Sequence, residues 1–375
     1  MKVSILTRRY GDNFGSALQA YALQIVVGRI VKDSVVLNYN ELSHNIRWMI
    51  RPKLYDFLYT FFIFTPIKFL FKKKYEWLNN RNIQKEKFSR FDNLLNKTKQ
   101  ILKSSKDLAD ACKNSDVCVC GSDQIWNPFL FDKNFYLSFL KGTHTKKIAY
   151  AVSLGINDPS LITSQMIDLI KDIDFISMRE DSGREIVYEL TQKNIVRTLD
   201  PTLLLNKKDW EYVKSDYSIS EDYILCYFLK TEIIPNPMIQ QLKEKYRCKV
   251  VNIQMYYALN FVDADIHLYD VGPQDFLSLV SNAKCICTNS FHGTVFSLIF
   301  EKEFLVFDRF KYNAKNNQNS RIDDLLRIID LESRKMKDTQ LLITEKEIEY
   351  PLKCNFEELK DKSLDFLKKT ILSER

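Results

Sequence analysis

Glycine is scarce in this chain: nine residues in 375, where an average protein of that length would hold about 26. That excludes collagen-like and Gly-rich linker sequences. It also makes each glycine a place where the backbone is expected to need one. Histidine is rarer still, with four residues, so no multi-histidine metal cluster is evident. No C-x-x-C occurs, which argues against a zinc ribbon or a thioredoxin-like site. No G-x-x-x-x-G-K-[ST] occurs either, so a P-loop is excluded. The apolar runs stay well short of the roughly 20 residues that span a bilayer. The apolar stretch before Arg8 and Arg9 is too short for a secretion signal and reads as a first buried strand. The eight cysteines are therefore expected to be free thiols in a reducing cytoplasm. Cys118/Cys120 and Cys285/Cys287 alternate within apolar runs, as small hydrophobes on one face of a strand.

What is there suits a folded chain of two domains. Hydrophobic residues make up 45% and charged residues 27%, which is neither a disordered nor a membrane-embedded composition. Strand-like runs at residues 2–7, 34–37, 116–120, 147–153, 174–178 and 194–199 alternate with helical spacing at 14–30, 160–171 and 182–190. This is the βαβ rhythm of a doubly wound parallel sheet. The pattern resets near Asn206, after Asp200-Pro201. New strands at 223–229, 249–253, 284–288 and 303–307 then alternate with helices at 237–246, 273–283 and 291–300. The fold class is therefore α/β, with two Rossmann-like domains at residues 1–205 and 206–375. A helical insertion at about 44–110 interrupts the first domain, and an amphipathic helix at 356–371 closes the second.

Charge is concentrated in that insertion. Residues 47–90 carry eleven Lys and Arg against three acids, a local +8 in a chain of net +7. The aromatic run Phe57-Leu58-Tyr59-Thr60-Phe61-Phe62-Ile63-Phe64 precedes Lys72-Lys73-Lys74. Such a segment suits a helix lying on an anionic membrane surface. It equally suits a helix that covers the first domain's core while its lysines solvate the end. A nucleic-acid surface is not expected, because the phenylalanines are contiguous and no recognised motif accompanies them.

Four polar clusters sit at strand-to-helix turns, where ligands of open α/β sheets bind. In the first, Gly11-Asp12-Asn13-Phe14-Gly15-Ser16, backbone amides at a helix start offer an anion or sugar site. Asn13 or Ser16 would equally serve as an N-cap. The second is Gly121-Ser122-Asp123-Gln124-Ile125-Trp126-Asn127. Asp123 there can accept a proton or hold a hydroxyl, and Trp126 can stack on a sugar or fill the core. The third, Ser177-Met178-Arg179-Glu180, ends a strand in a guanidinium whose fork fits a carboxylate or phosphate. Its acidic neighbours can also neutralise it. The fourth, Thr288-Asn289-Ser290-Phe291-His292-Gly293-Thr294, places His292 in a polar turn at a helix N-terminus, where it can donate to phosphate or shuttle a proton.

The succession of these clusters, with Leu18-Gln19-Ala20-Tyr21-Ala22-Leu23 and Asp200-Pro201-Thr202, resembles the polysaccharide pyruvyl transferase family from about residue 3 to 330. The resemblance implies a GT-B-like pair of domains, with the acceptor on the N-terminal side and phosphoenolpyruvate on the C-terminal side. It implies transfer of a pyruvate ketal from phosphoenolpyruvate to two hydroxyls of a capsule or exopolysaccharide precursor, with no cofactor or metal. It points to Arg179 and His292 as contacts of phosphoenolpyruvate. The reaction also needs an acid and a base, for which His292 is the expected acid or phosphate anchor and Asp123 the expected base or hydroxyl holder, so His292, Asp123 and Arg179 are the catalytic candidates. Asn13, Gly15, Ser16, Ser122, Gln124, Trp126, Asn289 and Ser290 are the substrate-binding candidates, with a further basic residue among Arg309, Lys311 and Arg321. This chain has Ser290-Phe291-His292 where other members carry Arg-Leu-His, so that arginine's charge must come from elsewhere. A polyprenyl-diphosphate-linked oligosaccharide would fit the aromatic-basic insertion as acceptor. The protein is then expected in the cytoplasm, peripheral at the inner face of the membrane if residues 47–90 bind lipid. The alternative is a GT-B glycosyltransferase using a nucleotide sugar, which shares the architecture.

Overall fold

A computed structural model of the chain describes residues 1–9, 11–40, 72–229, 234–255, 262–310, 318–336, 347–350 and 356–374. The first sheet is built from β1 (Val3–Leu6), β2 (Ser34–Val36), β3 (Val117–Asp123), β4 (Lys146–Val152), β5 (Phe175–Met178) and β6 (Ile195–Arg197). Their order is β2-β1-β3-β4-β5-β6, and every pairing is parallel. β1, β3 and β4 are buried along their whole length, which is why they read as continuous apolar runs and not as alternation. The seven described cysteines are buried and free.

The second sheet runs β12-β11-β10-β7-β8-β9, again wholly parallel. Its strands are β7 (Tyr223–Tyr227), β8 (Lys249–Ile253), β9 (Ile266–Leu268), β10 (Cys285–Thr288), β11 (Glu303–Phe307) and β12 (Lys335–Met336). Counted within the domain this is the 3-2-1-4-5-6 order of a Rossmann sheet. β9 and β12, three and two residues long, lie among polar residues and carry no apolar run that would mark a strand in the sequence.

The helix α1 (Phe14–Ile30) follows β1 and is capped by Asn13, whose side chain accepts from the Ser16 amide at 3.2 Å. One hydrophobic cluster runs from β1 and α1 through to Tyr223, Phe276 and Phe296 of the second domain. Phe14 joins the two domains within it. It stacks on Phe276 with ring centroids 4.8 Å apart and on Phe88 at 5.3 Å, and meets Tyr227 edge-on at 5.5 Å.

Phe88 belongs to α2 (Lys72–Asp92), the described part of the insertion. This helix touches both domains. Arg81 pairs with Asp12, while Lys87 pairs with Asp270 at 3.1 Å and Asp275 at 2.9 Å. Gln84 donates to the Val271 carbonyl at 3.0 Å. Arg81 and Lys87 are thus committed to ion pairs with the two domains. The aromatic run 54–71 lies outside the described residues. α3 (Ser105–Cys112) closes the insertion with a capping box from Ser104 and Asp107.

The last helix, expected to close the second domain, also packs on the first. Ser363 accepts from the Leu199 amide at 2.9 Å, and Lys146 of β4 donates to the Thr370 and Ile371 carbonyls at 2.9 and 3.2 Å. An amphipathic pattern shows that a helix has a buried face, not which core receives it.

Candidate active site

In each sheet the strand order reverses at one point, between β1 and β3 and between β7 and β10. Ligands of open α/β sheets bind at such points, beyond the carboxyl ends of the strands. Here the two points face each other, and the four polar clusters meet there.

Asp123 ends β3 with φ 68°, a left-handed conformation that costs a non-glycine residue about 1–3 kcal/mol and tends to persist at functional sites. Gly121 makes the bend feasible: at φ 135° a Cβ on it would lie 2.0 Å from the Tyr150 carbonyl oxygen. Asp123 accepts from the Ser16 hydroxyl at 3.0 Å and from Arg179 at 3.1 Å. Burial raises its proton affinity, but the charges of Arg179, His292 and Arg321 outweigh that and hold its pKa at about 2. It is an ionised anchor and a weak base near neutrality.

Arg179 follows β5 and is buried among three carboxylates. Its guanidinium lies 2.9 Å from Asp200, 3.1 Å from Asp123 and 3.5 Å from Glu180. It also lies over the Phe291 ring, 4.5 Å from the centroid. Asp200 is the shared acceptor of the cluster. It takes hydrogen bonds from Arg179, from the Ser122 hydroxyl at 2.9 Å and from the Thr202 hydroxyl at 2.7 Å. Burial opposes its ionisation, yet His292, Arg179 and Thr202 hold its pKa well below the usual carboxylate range. Glu180 goes the other way: burial raises it, against the pull of Arg179.

His292 comes from the opposite domain, in the first turn of the helix Phe291–Ile299, which Ser290 caps. Its Nε2 sits 3.6 Å from Asp200 and, though buried, has no hydrogen-bond partner. Its ring rests against Gly15 of α1, where a Cβ would fall 2.0 Å from Nδ1. Only glycine leaves that space. Gly15, Ser16, Ser122, Asp123, Arg179 and His292 therefore converge, as does Gln124, whose amide meets Arg321.

Other candidates are placed elsewhere. Trp126 is wholly buried; its indole donates to the Phe135 carbonyl at 3.1 Å and stacks on Tyr136 at 5.2 Å. No face of it is open to a sugar, so of its two readings the core one is observed. Asn13 is the cap of α1. Asn289 braces the end of β7 through the Leu229 amide and carbonyl, at 2.8 and 3.2 Å. The Arg309 side chain lies over Phe310, 4.9 Å from the ring centroid. Lys311 lies outside the described residues. Asp200 and Gln19 were visible as motif residues but not as site residues, because their roles are contacts across the fold. Gln19 donates to Thr7 at 2.8 Å and accepts from the Ser122 amide at 3.1 Å.

Fold and site together define a two-domain, GT-B-like α/β protein with a charged cluster at its facing switch points. The sequence matches the model of the polysaccharide pyruvyl transferase family over residues 13–311, and the chain belongs to that family. No curated protein matches it. Similar solved structures include UDP-N-acetylglucosamine 2-epimerase from Rickettsia bellii, with 10% identity, 99% of this chain and 95% of that chain covered, and a TM-score of 0.49. The UDP-GlcNAc 2-epimerase from Neisseria meningitidis bound to UDP-GlcNAc has 12% identity, all of both chains covered, and a TM-score of 0.47. The Escherichia coli ADP-heptose lps heptosyltransferase II has 10% identity, 99% of both chains covered, and a TM-score of 0.40. Likeness at this distance says nothing about the reaction.

Proposed function

We propose that the protein transfers the carboxyethylidene unit of phosphoenolpyruvate to a pair of sugar hydroxyls and releases phosphate. The observation that carries this reading is His292: a buried imidazole whose Nε2 makes no hydrogen bond and faces the Asp200 carboxylate at 3.6 Å, with its ring against Gly15 of the other domain. A buried polar atom without a hydrogen bond has room for one to a substrate, and an imidazole is the side chain best suited to give and take protons near neutrality.

The chemistry needs a proton on the methylene carbon of phosphoenolpyruvate, which leaves an oxocarbenium-like centre beside the carboxylate. One sugar hydroxyl adds there and loses its proton. The C–O bond to phosphate breaks, and the second hydroxyl closes the ketal ring. One of the two hydroxyl protons balances the new methyl group, and the other leaves with phosphate. His292 is placed to supply the first proton or to hold the phosphate. Asp123, already ionised and bonded to Ser16, is suited to fixing an acceptor hydroxyl. Arg179 keeps Asp123 and Asp200 at fixed separation and stabilises their charge.

Calorimetry with phosphoenolpyruvate, run beside uridine-diphosphate sugars, tests the donor. We expect a response to phosphoenolpyruvate, and ketal formation that disappears in His292→Ala with unchanged circular dichroism. A response to nucleotide sugars alone would replace this reading with a glycosyltransferase.

The acceptor is proposed to be an oligosaccharide on polyprenyl diphosphate, met at an anionic membrane surface through the insertion. No helix among the described residues is long and apolar enough to cross a membrane. Transfer should be faster to the lipid-linked acceptor in anionic vesicles than to the free oligosaccharide. Equal rates, with no binding to vesicles, would remove the membrane from the proposal.

A further inference from the structure

Arg321 lies on α4 (Ser320–Ile328) of the second domain, and its setting differs from that of Arg179. Both guanidiniums lie over the Phe291 ring, Arg179 at 4.5 Å and Arg321 at 6.0 Å from the centroid. Arg179 has three carboxylates around it. Arg321 is as deeply placed, with 9% of its surface exposed, yet no carboxylate among the described residues lies within ion-pair distance of it. Its partners are neutral. It donates to the Gln318 carbonyl at 3.3 Å and the Gln318 side chain at 3.0 Å. The Gln124 amide, turned with its oxygen toward the guanidinium, lies 2.6 Å from Nη1.

Burying a charge is costly unless an opposite charge accompanies it. Burial first, and the Arg179 charge second, push the Arg321 pKa down to about 9, against the pull of Asp123 and Glu180. A guanidinium held this way is short of a negative partner. It stands beside Phe291, at the start of the helix that carries His292, where first-turn amides have no acceptor within the helix.

We propose that Arg321, oriented by Gln124, is the phosphate anchor of the donor site, a role that rests on the phosphoenolpyruvate reading above. Arg321 supplies the positive charge that Arg179, neutralised by its three carboxylates, does not. Its planar fork fits two phosphate oxygens at once. The phosphate then lies near His292, and the reacting carbon of the donor lies toward Asp123 and the acceptor side.

The test is calorimetry of wild type, Arg321→Gln and Arg321→Lys with phosphoenolpyruvate, inorganic phosphate and pyruvate. Arg321→Gln should weaken phosphoenolpyruvate and phosphate roughly ten- to a hundred-fold, the loss of a charge-assisted contact, and leave pyruvate unchanged. Arg321→Lys should recover part of the loss. Thermal unfolding guards against a merely structural effect. Phosphate should raise the midpoint of wild type but not of Arg321→Gln, whose own midpoint should not fall, since it loses a buried charge with no ion pair. Phosphoenolpyruvate bound by Arg321→Gln within about threefold of wild type would overturn the anchor while leaving the donor reading intact. If wild type ignores phosphoenolpyruvate, that reading fails, and phosphate alone decides: binding lost in Arg321→Gln keeps an anion site, and no binding removes it. A collapsed midpoint in Arg321→Gln would assign the residue to structure.

Discussion

Phe14 and Ser16 are two residues apart in the first turn of α1, yet they serve opposite regions. Phe14 enters an aromatic seam with Phe88, Phe276 and Tyr227. Ser16 enters a cluster of two arginines, three carboxylates and one histidine. The seam is built from contacts that do not depend on charge, and it joins the domains through apolar area. In the cluster, desolvating the charges offsets part of their attraction, and what remains depends on pH. The difference teaches which region fixes the domains and which is fixed by them. The seam sets the spacing, and the cluster uses that spacing to bring His292 to Asp200.

Phe14→Ala should break the seam and have the largest effect, a loss of about 3–5 kcal/mol read by chemical denaturation. The neighbouring substitution should cost much less. Gly15→Ala lies within a helix, where alanine is favoured by about 1 kcal/mol, but its Cβ would overlap the buried His292 ring, an overpacking that costs about 1–3 kcal/mol, so stability should fall by no more than about 2 kcal/mol. Turnover should nevertheless fall about a hundredfold, because the new Cβ occupies the imidazole's place. A Gly15→Ala protein that is fully active would show that His292 does not need that seat.

Acid should separate the two regions more gently. Asp123 and Asp200 are held below their unfolded values, so their contribution is full above about pH 4 and fades as the pH falls toward 2. For Asp123 it amounts to about 2 kcal/mol. Glu180, raised by burial, opposes this trend. Phe14, Phe88 and Phe276 have no acid titration. Denaturation midpoints measured from pH 5 to pH 2 should fall less steeply in Asp123→Asn than in wild type, and identical slopes would contradict the assignment.

Much of this was legible in the sequence. Strands buried on both faces announce themselves as apolar runs, and polar residues after them mark the cleft, which is how Asp123, Arg179 and His292 stand out. Trp126 misleads because it is three residues from Asp123. The chain turns between them, and the indole goes into the core behind the sheet edge. Arg321 could be named only as one of several basic residues. The short apolar pattern around it gives no firm helix, and its lack of a carboxylate partner is a fact of three dimensions. Asp200 likewise becomes important only when three distant segments converge on it.

The position of the final helix has a consequence for how the protein is made. Residues 356–372 complete the packing of a domain whose sheet is drawn from residues 3–197. On the ribosome, the first domain must therefore wait for the whole second domain to be synthesised before its last contacts form. Until then Leu199 and Lys146 at the start of β4 lack these partners. Its folding should be slow and governed by contacts of long sequence separation, leaving a late intermediate exposed to chaperones and proteases.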